Sequence, residues 1–187
     1  MKPWQGRLVG CVLTMSVAAG LTSCTEPEPQ PIPSPTPTVS APTPSRITSP
    51  TPSAEELDVR GAEQAVSRFW RVIDRLSADP ESDLTELTTV SRGSVAAQWA
   101  RNINQYRYDQ VTTKGRVAVR DASATKTKDD DLFKVTACID ASKVNLVDKD
   151  GKSVVPPNGP RRVAYDYTVE KDGQRWYVIK EKVTETC

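Results

Sequence analysis

The chain has 187 residues, with 25 Lys plus Arg against 24 Asp plus Glu, 15 Pro, four Cys and no His. A near-neutral balance excludes the basic excess expected of a nucleic-acid-binding domain, and the missing imidazole excludes Ser-His-Asp and Cys-His catalysis. Lys2 and Arg7 precede an apolar run of 14 residues, Leu8 to Leu21, followed by small side chains. That is the three-part pattern of a secretory signal peptide. A membrane-spanning helix needs about 20 such residues, so a retained span is the weaker reading. From Thr25 to Pro52, ten of 28 residues are Pro, interleaved with Ser and Thr. Such a segment cannot bury enough apolar surface to fold. At about 3.1 Å per residue in polyproline II form, it is a linker that could hold a domain up to roughly 85 Å away. That suits either a spacer through cell-wall polymer or a solvated stalk.

Residues 53 to 187 carry 22 basic and 22 acidic side chains and are enough for one domain with a real core. Ser53-Ala54-Glu55-Glu56 has the spacing of a capping box, which predicts a helix start. Ala62, Ala65, Val66, Phe69, Trp70, Ile73 and Leu76 then form one apolar stripe at intervals of three and four, and Asp79-Pro80 ends it. Leu84, Leu87 and Val90 predict a short second helix, and Val95, Ala96, Trp99, Ile103 and Tyr106 a third. After Tyr108 the period changes to two: Val117 and Val119, then Phe133, Val135, Ala137 and Ile139, alternate with polar residues. Asp148-Lys149-Asp150-Gly151 and Lys171-Asp172-Gly173 are turn signals, and Val163 to Glu170 with Arg175 to Val183 reads as a closing hairpin. Helices first and an antiparallel sheet afterwards predict an α+β fold. Trp70 and Trp99 fall on helix stripes and are expected in the core.

Leu21-Thr22-Ser23-Cys24 resembles the lipobox of bacterial lipoproteins. The resemblance implies that residues 1–23 are removed and that Cys24 receives a diacylglyceryl group as the first residue of a 24–52 tether. Two acyl chains suffice for stable anchoring. An ordinary secreted protein, in which Cys24 happens to lie near the cleavage site, is the alternative. Further along, RFWRVID, VTACID, DKDGK and DGQRWYVIKE, in that order, are similar to small actinobacterial lipoproteins and secreted proteins with the nuclear transport factor-like (cystatin-like) fold. That likeness implies a cone for residues 53–187, in which helices pack into a curved antiparallel sheet.

With Cys11 in the leader and Cys24 lipidated, Cys138 and Cys187 remain. Outside the cytoplasm an unpaired pair would be unusual, so a Cys138–Cys187 disulfide is expected. A metal site fails on ligand count, and no neighbouring residue in sequence would depress a thiol pKa. GxSxG and HExxH are missing, as is a Gly-rich strand-to-helix turn, so neither an enzyme nor a cofactor is expected. Asp129-Asp130-Asp131 lacks the pattern of a calcium loop and reads as a hairpin tip. Arg161-Arg162 reads as a solvated edge before a strand.

The function expected is therefore that of a lipid-anchored, extracytoplasmic, non-catalytic binding or protein-interaction module at the cell membrane. Its partners would be the bilayer through the anchor and an envelope protein or small ligand, with no nucleic acid. Tyr165, Tyr167, Trp176 and Tyr177 are the candidate binding surface. Two alternatives stand beside it. Ketosteroid isomerases share the implied cone and use a carboxylate and a tyrosine, for which Asp140 and Asp166 lie near the strand tyrosines in sequence, although alternation puts Asp166 on the face opposite Tyr165 and Tyr167. The other is a phage or prophage superinfection-exclusion lipoprotein.

Overall fold

The computed structural model describes residues 51–187. The expected signal peptide, the lipobox-like Leu21-Thr22-Ser23-Cys24 and all of the expected tether but Thr51 and Pro52 lie outside the described residues. The first helix, α1 (Ala54–Ala78), starts at the expected capping box. The Glu56 amide donates to Ser53 Oγ at 3.2 Å, and the Ser53 amide donates to Glu56 Oε2 at 2.6 Å. Two of the helix's orphan donors are satisfied in this way. Its stripe is buried as the spacing requires, with Ala62, Val66 and Phe69 fully shut off from water. Each large apolar side chain so buried contributes about 1.5–3 kcal/mol, which outweighs what propensity alone gives an isolated helix. The short second helix is a 3-10 turn at Leu84–Thr89, opened by Asp83, whose side chain accepts from the Thr85 amide at 2.9 Å. The third, α2 (Gly93–Tyr108), buries Val95 and Ile103.

The chain then forms β1 (Thr112–Lys114), β2 (Ala118–Lys126), β3 (Leu132–Asp140), β4 (Asn145–Val147), β5 (Arg162–Asp172) and β6 (Arg175–Thr186). Four of these build an antiparallel sheet in the order β2-β3-β5-β6. Phe133, Val135, Ala137 and Ile139 pair with Val169, Tyr167, Tyr165 and Val163, and this alternate set faces the helices. Helix α1 touches all four strands, so the sheet is wrapped about it. The architecture is α+β, with the helices and the antiparallel sheet segregated along the chain.

Strands β1 and β4 form a separate two-stranded sheet that the sequence does not announce, because three residues are too few to display a period. Their approach is set at Gly115, whose φ is +87° and against which the Lys143 carbonyl oxygen lies so close that any Cβ would collide with it. The start of β2 is pinned to α1: the Val117 amide donates to Asp74 Oδ2 at 3.1 Å. Burial pushes the Asp74 carboxyl up to about 6.

Cys138 and Cys187 are joined by a disulfide with a Cα–Cα separation of 6.0 Å. Strands two apart in a sheet are separated by about 9–10 Å, so Cys187 leaves the line of β6 and turns back over β5. The residue of β5 opposite Cys138 is Ala164, small enough to pass beneath the bridge. Closing a loop of 49 residues is worth on the order of 4 kcal/mol in the chain-entropy model.

Candidate functional site

Where β6 leaves its turn, Trp176 and Tyr177 point to opposite faces. Trp176 packs inward, edge-on to Phe133 with ring centroids 5.2 Å apart and flat against α1 at Gly61. A Cβ at Gly61 would lie 2.5 Å from the indole, so the glycine is there for space. Lys171, the cross-strand neighbour, holds its ammonium 5.6 Å from the same ring and donates to Asp58 Oδ1 at 2.6 Å. Tyr177 lies on the outer face under the Arg92 guanidinium, 3.5 Å from the ring centroid. Arg92 also binds Glu170 at 3.1 Å and Asp172 at 2.7 Å. The Arg175 and Arg92 guanidiniums, in that order of weight, hold the Tyr177 phenol below its ordinary range.

Tyr165 and Tyr167 are at the other end of the inner face. Their rings stack at 5.7 Å and 13°. Tyr167 is 2% exposed and accepts a hydrogen bond from Trp70 Nε1 at 2.9 Å, whereas Tyr165 is half-buried. Burial raises both phenols. Trp70 meets Trp99 edge-on at 5.3 Å and Tyr165 at 6.1 Å, with Phe69 behind. Aromatic side chains thus fill the space between helices and sheet. The four residues grouped in the sequence as one surface are divided between two faces of β6 and two ends of the layer, with Tyr167 and Tyr177 buried.

Beside the stacked tyrosines sits a group the sequence did not single out, Glu181. A β-bulge between Thr168 and Val169 in the β5–β6 register adds one residue to β6. The alternation flips there, and Glu181 pairs with Tyr167 on the inner side while Lys180 and Lys182 face out. Glu181 Oε1 accepts from Trp99 Nε1 at 2.8 Å, while Oε2 is closed off from solvent without a hydrogen-bond partner. Burial raises the carboxyl, and the Trp99 hydrogen bond opposes that rise. The carboxylates considered in the sequence are elsewhere. Asp140 is held low by hydrogen bonds from Ser142 and then by Arg120, 3.0 Å away, and Asp166 is exposed on the outer face.

Between α2 and this part of β6 runs a cleft of about 540 Å³ lined by Val95, Gln98, Arg101, Lys180, Glu181 and Lys182. Strand β6 is the last in the sheet order, and the side of it away from β5 is used unevenly. Val178 donates to the Val90 carbonyl at 2.9 Å and accepts from the Arg92 amide at 3.2 Å, in a parallel bridge centred on Ser91. Among the described residues, no backbone hydrogen bond joins residues 180–186 to any segment but β5. Nor is any group of three or more His, Cys, Asp or Glu placed there to hold a metal ion.

No family model matches the sequence, and no curated protein matches it. Among solved structures, the crystal structure of the intermembrane space region of the chloroplast protein ARC6 is similar. It is 21% identical with a TM-score of 0.50, and the match covers 69% of this chain and 98% of that one. The likeness is one of fold alone. A solution structure of a designed beta-sheet protein aligns at 15% identity and a TM-score of 0.32, over 68% of this chain and 88% of that one.

Proposed function

We propose that the chain is an extracytoplasmic lipoprotein, held to a membrane through Cys24 and a Pro-rich tether, whose α+β domain is a non-catalytic protein-interaction module. The observation that carries this reading is the filled interior. Where a catalyst of this architecture would need an open cavity, Phe69, Trp70, Trp99, Tyr165 and Tyr167 pack edge to face and ring on ring. Recognition then falls to the surface. The Cys138–Cys187 bridge supports the compartment, because structural disulfides persist in oxidising surroundings. The order of helices before a wrapped antiparallel sheet supports the nuclear transport factor-like assignment, and a similar fold is used by ARC6 in a space between membranes.

Crosslinking with affinity mass spectrometry on intact cells tests the proposal, comparing the parent chain with Cys24→Ala. The parent should fractionate with membranes, carry the mass of a diacylglyceryl group on Cys24 and recover a specific envelope protein. The variant should be released and recover none. A soluble, unlipidated parent would remove the anchor. Equal recovery of the same partner by both forms would remove the need for it.

A further inference from the structure

The two halves of the outer edge of β6 suggest how such a module takes its partner. The first half already accepts a strand, since Val90 to Arg92 runs parallel to β6 and bonds Val178 in both directions. At Gly93 the chain turns into α2 and leaves the edge, so from Lys180 onward the same row of backbone groups continues without a strand beside it. What remains is a trough with a sheet edge on one side and α2 on the other, and Val95, Gln98 and Arg101 line its helical wall. Such an edge is a template for another strand.

Its charge selects the occupant. Arg101, Lys180 and Lys182 line the trough, and none of them takes part in an ion pair among the described residues. Arg101 is bonded only to the Gln98 side chain, at 2.8 Å. Glu181, the one acid between them, is turned inward onto Trp99. Asp166 is the cross-strand neighbour of Lys182 on β5, and with Glu181 that makes two carboxylates against three cations, which leaves the trough net positive. Lys180 and Lys182 share the outer face, whereas Val183, 55% exposed and paired with Tyr165, presents apolar surface on the inner one.

We infer that the open half of β6, Lys180 to Thr186, binds an extended segment of a partner protein as a fifth strand, with acidic side chains at alternate positions against Lys180 and Lys182 and small apolar ones between them against Val183. This rests on reading the domain as an interaction module and names the surface and the chemistry of its partner. Backbone hydrogen bonds give such a strand its affinity, and the alternating pattern gives it specificity.

The test uses the full chain and a fluorescein-labelled peptide alternating Glu and Val, read by fluorescence anisotropy. Two controls accompany it: the same peptide N-methylated at alternate residues, which removes backbone donors, and one alternating Lys and Val. The acidic peptide should bind saturably, the N-methylated and basic peptides should not, and the double variant Lys180→Glu/Lys182→Glu should bind about tenfold more weakly. Both lysines are exposed and unpaired, so the double variant should melt with the parent. Equal binding of the N-methylated peptide would reduce the effect to charge alone and overturn the strand. No binding by the acidic peptide, or no loss on charge reversal, would overturn the site. Self-association in light scattering that the double variant loses, with no binding of the acidic peptide, would assign the edge to a second copy instead. A cellular partner that binds the double variant as tightly as the parent would leave the interaction module standing and remove this edge from it.

Discussion

From Trp176 to Val178, β6 is covered on both faces and, at Val178, along both edges: Trp176 lies against Phe133 and α1, Tyr177 lies under Arg92, and Val178 is bonded to β5 and to the Val90–Arg92 segment. From Lys180 to Thr186 the same strand has β5 on one side only, with most of its side chains exposed and a disulfide at Cys187 just beyond its end. One half is held by packing and by a neighbour on each edge, the other by its ladder to β5, the Trp99–Glu181 hydrogen bond and the crosslink at its end. A strand held by packing has little surface left to offer. A strand held by a crosslink can keep its edge ordered and still open, which is what a docking surface requires.

The sharpest way to break that comparison is to remove its strongest packing element. Trp176→Ala should destabilise the domain by about 3 kcal/mol in urea unfolding, because the indole fills the space that Gly61 leaves. A loss confined to a few tenths would mean that the first half is not packed as described. Next comes the crosslink. Cys187→Ser should cost about 2 kcal/mol, less than the entropy model allows because a reduced denatured chain keeps residual structure. Its hydrogen-exchange signature should be selective, with faster exchange from Lys180 to Thr186 and little change from Arg175 to Val178. Uniform acceleration of both halves would show that they do not differ in the way proposed.

Acid–base behaviour sharpens the comparison at the junction of the two halves. A carboxyl whose folded pKa is raised binds its proton more tightly in the native state, so its stabilising contribution is complete below the ordinary value and is lost as pH rises through the folded one. Glu181 is such a group, raised from 4.5 by burial. Glu181→Gln keeps an acceptor for Trp99 without the charge. It should match the parent at low pH and become the more stable of the two as pH climbs above 4.5. Asp74 has the same sign, and its window runs from 3.8 to about 6. Asp74→Asn is therefore the control away from β6. Stability curves for both variants that run parallel to the parent's would mean that neither group is protonated differently on folding. The smallest effect expected is that of Arg92→Ala, whose ion pairs with Glu170 and Asp172 are partly exposed. It should raise exchange at Val178 and shift the Tyr177 absorbance titration upward towards its ordinary value, with little change in melting temperature.

Much of this was legible in residue order. The capping box at Ser53, the apolar stripe of α1, the run Phe133 to Ile139 and the β5–β6 hairpin all follow from periodicity that the structure repeats, and the disulfide followed from cysteine count and the compartment expected. Glu181 was not legible, for a definable reason. In Lys180-Glu181-Lys182 the charges read as an exposed strand end, and strict alternation from the buried Val178 would send Lys180 inward. The extra residue at the bulge reverses that parity, and a bulge leaves no mark in a hydrophobic pattern. The division of Tyr165, Tyr167, Trp176 and Tyr177 among separate environments was hidden too, because sequence gives which face a residue takes but not what covers it.

The hydrogen bond from Trp99 to Glu181 also has an optical consequence. Trp70, Trp99 and Trp176 are the indoles of the described domain, and each has different company: a phenol, a carboxyl and an ammonium. A carboxyl that changes charge at an indole N–H alters that indole's emission, so Trp99 should report titration and occupancy at the open half of β6. Trp176 stays at the enclosed half and should report unfolding. With one tryptophan left at a time, the strand's two halves can be watched separately in one cuvette, without any label.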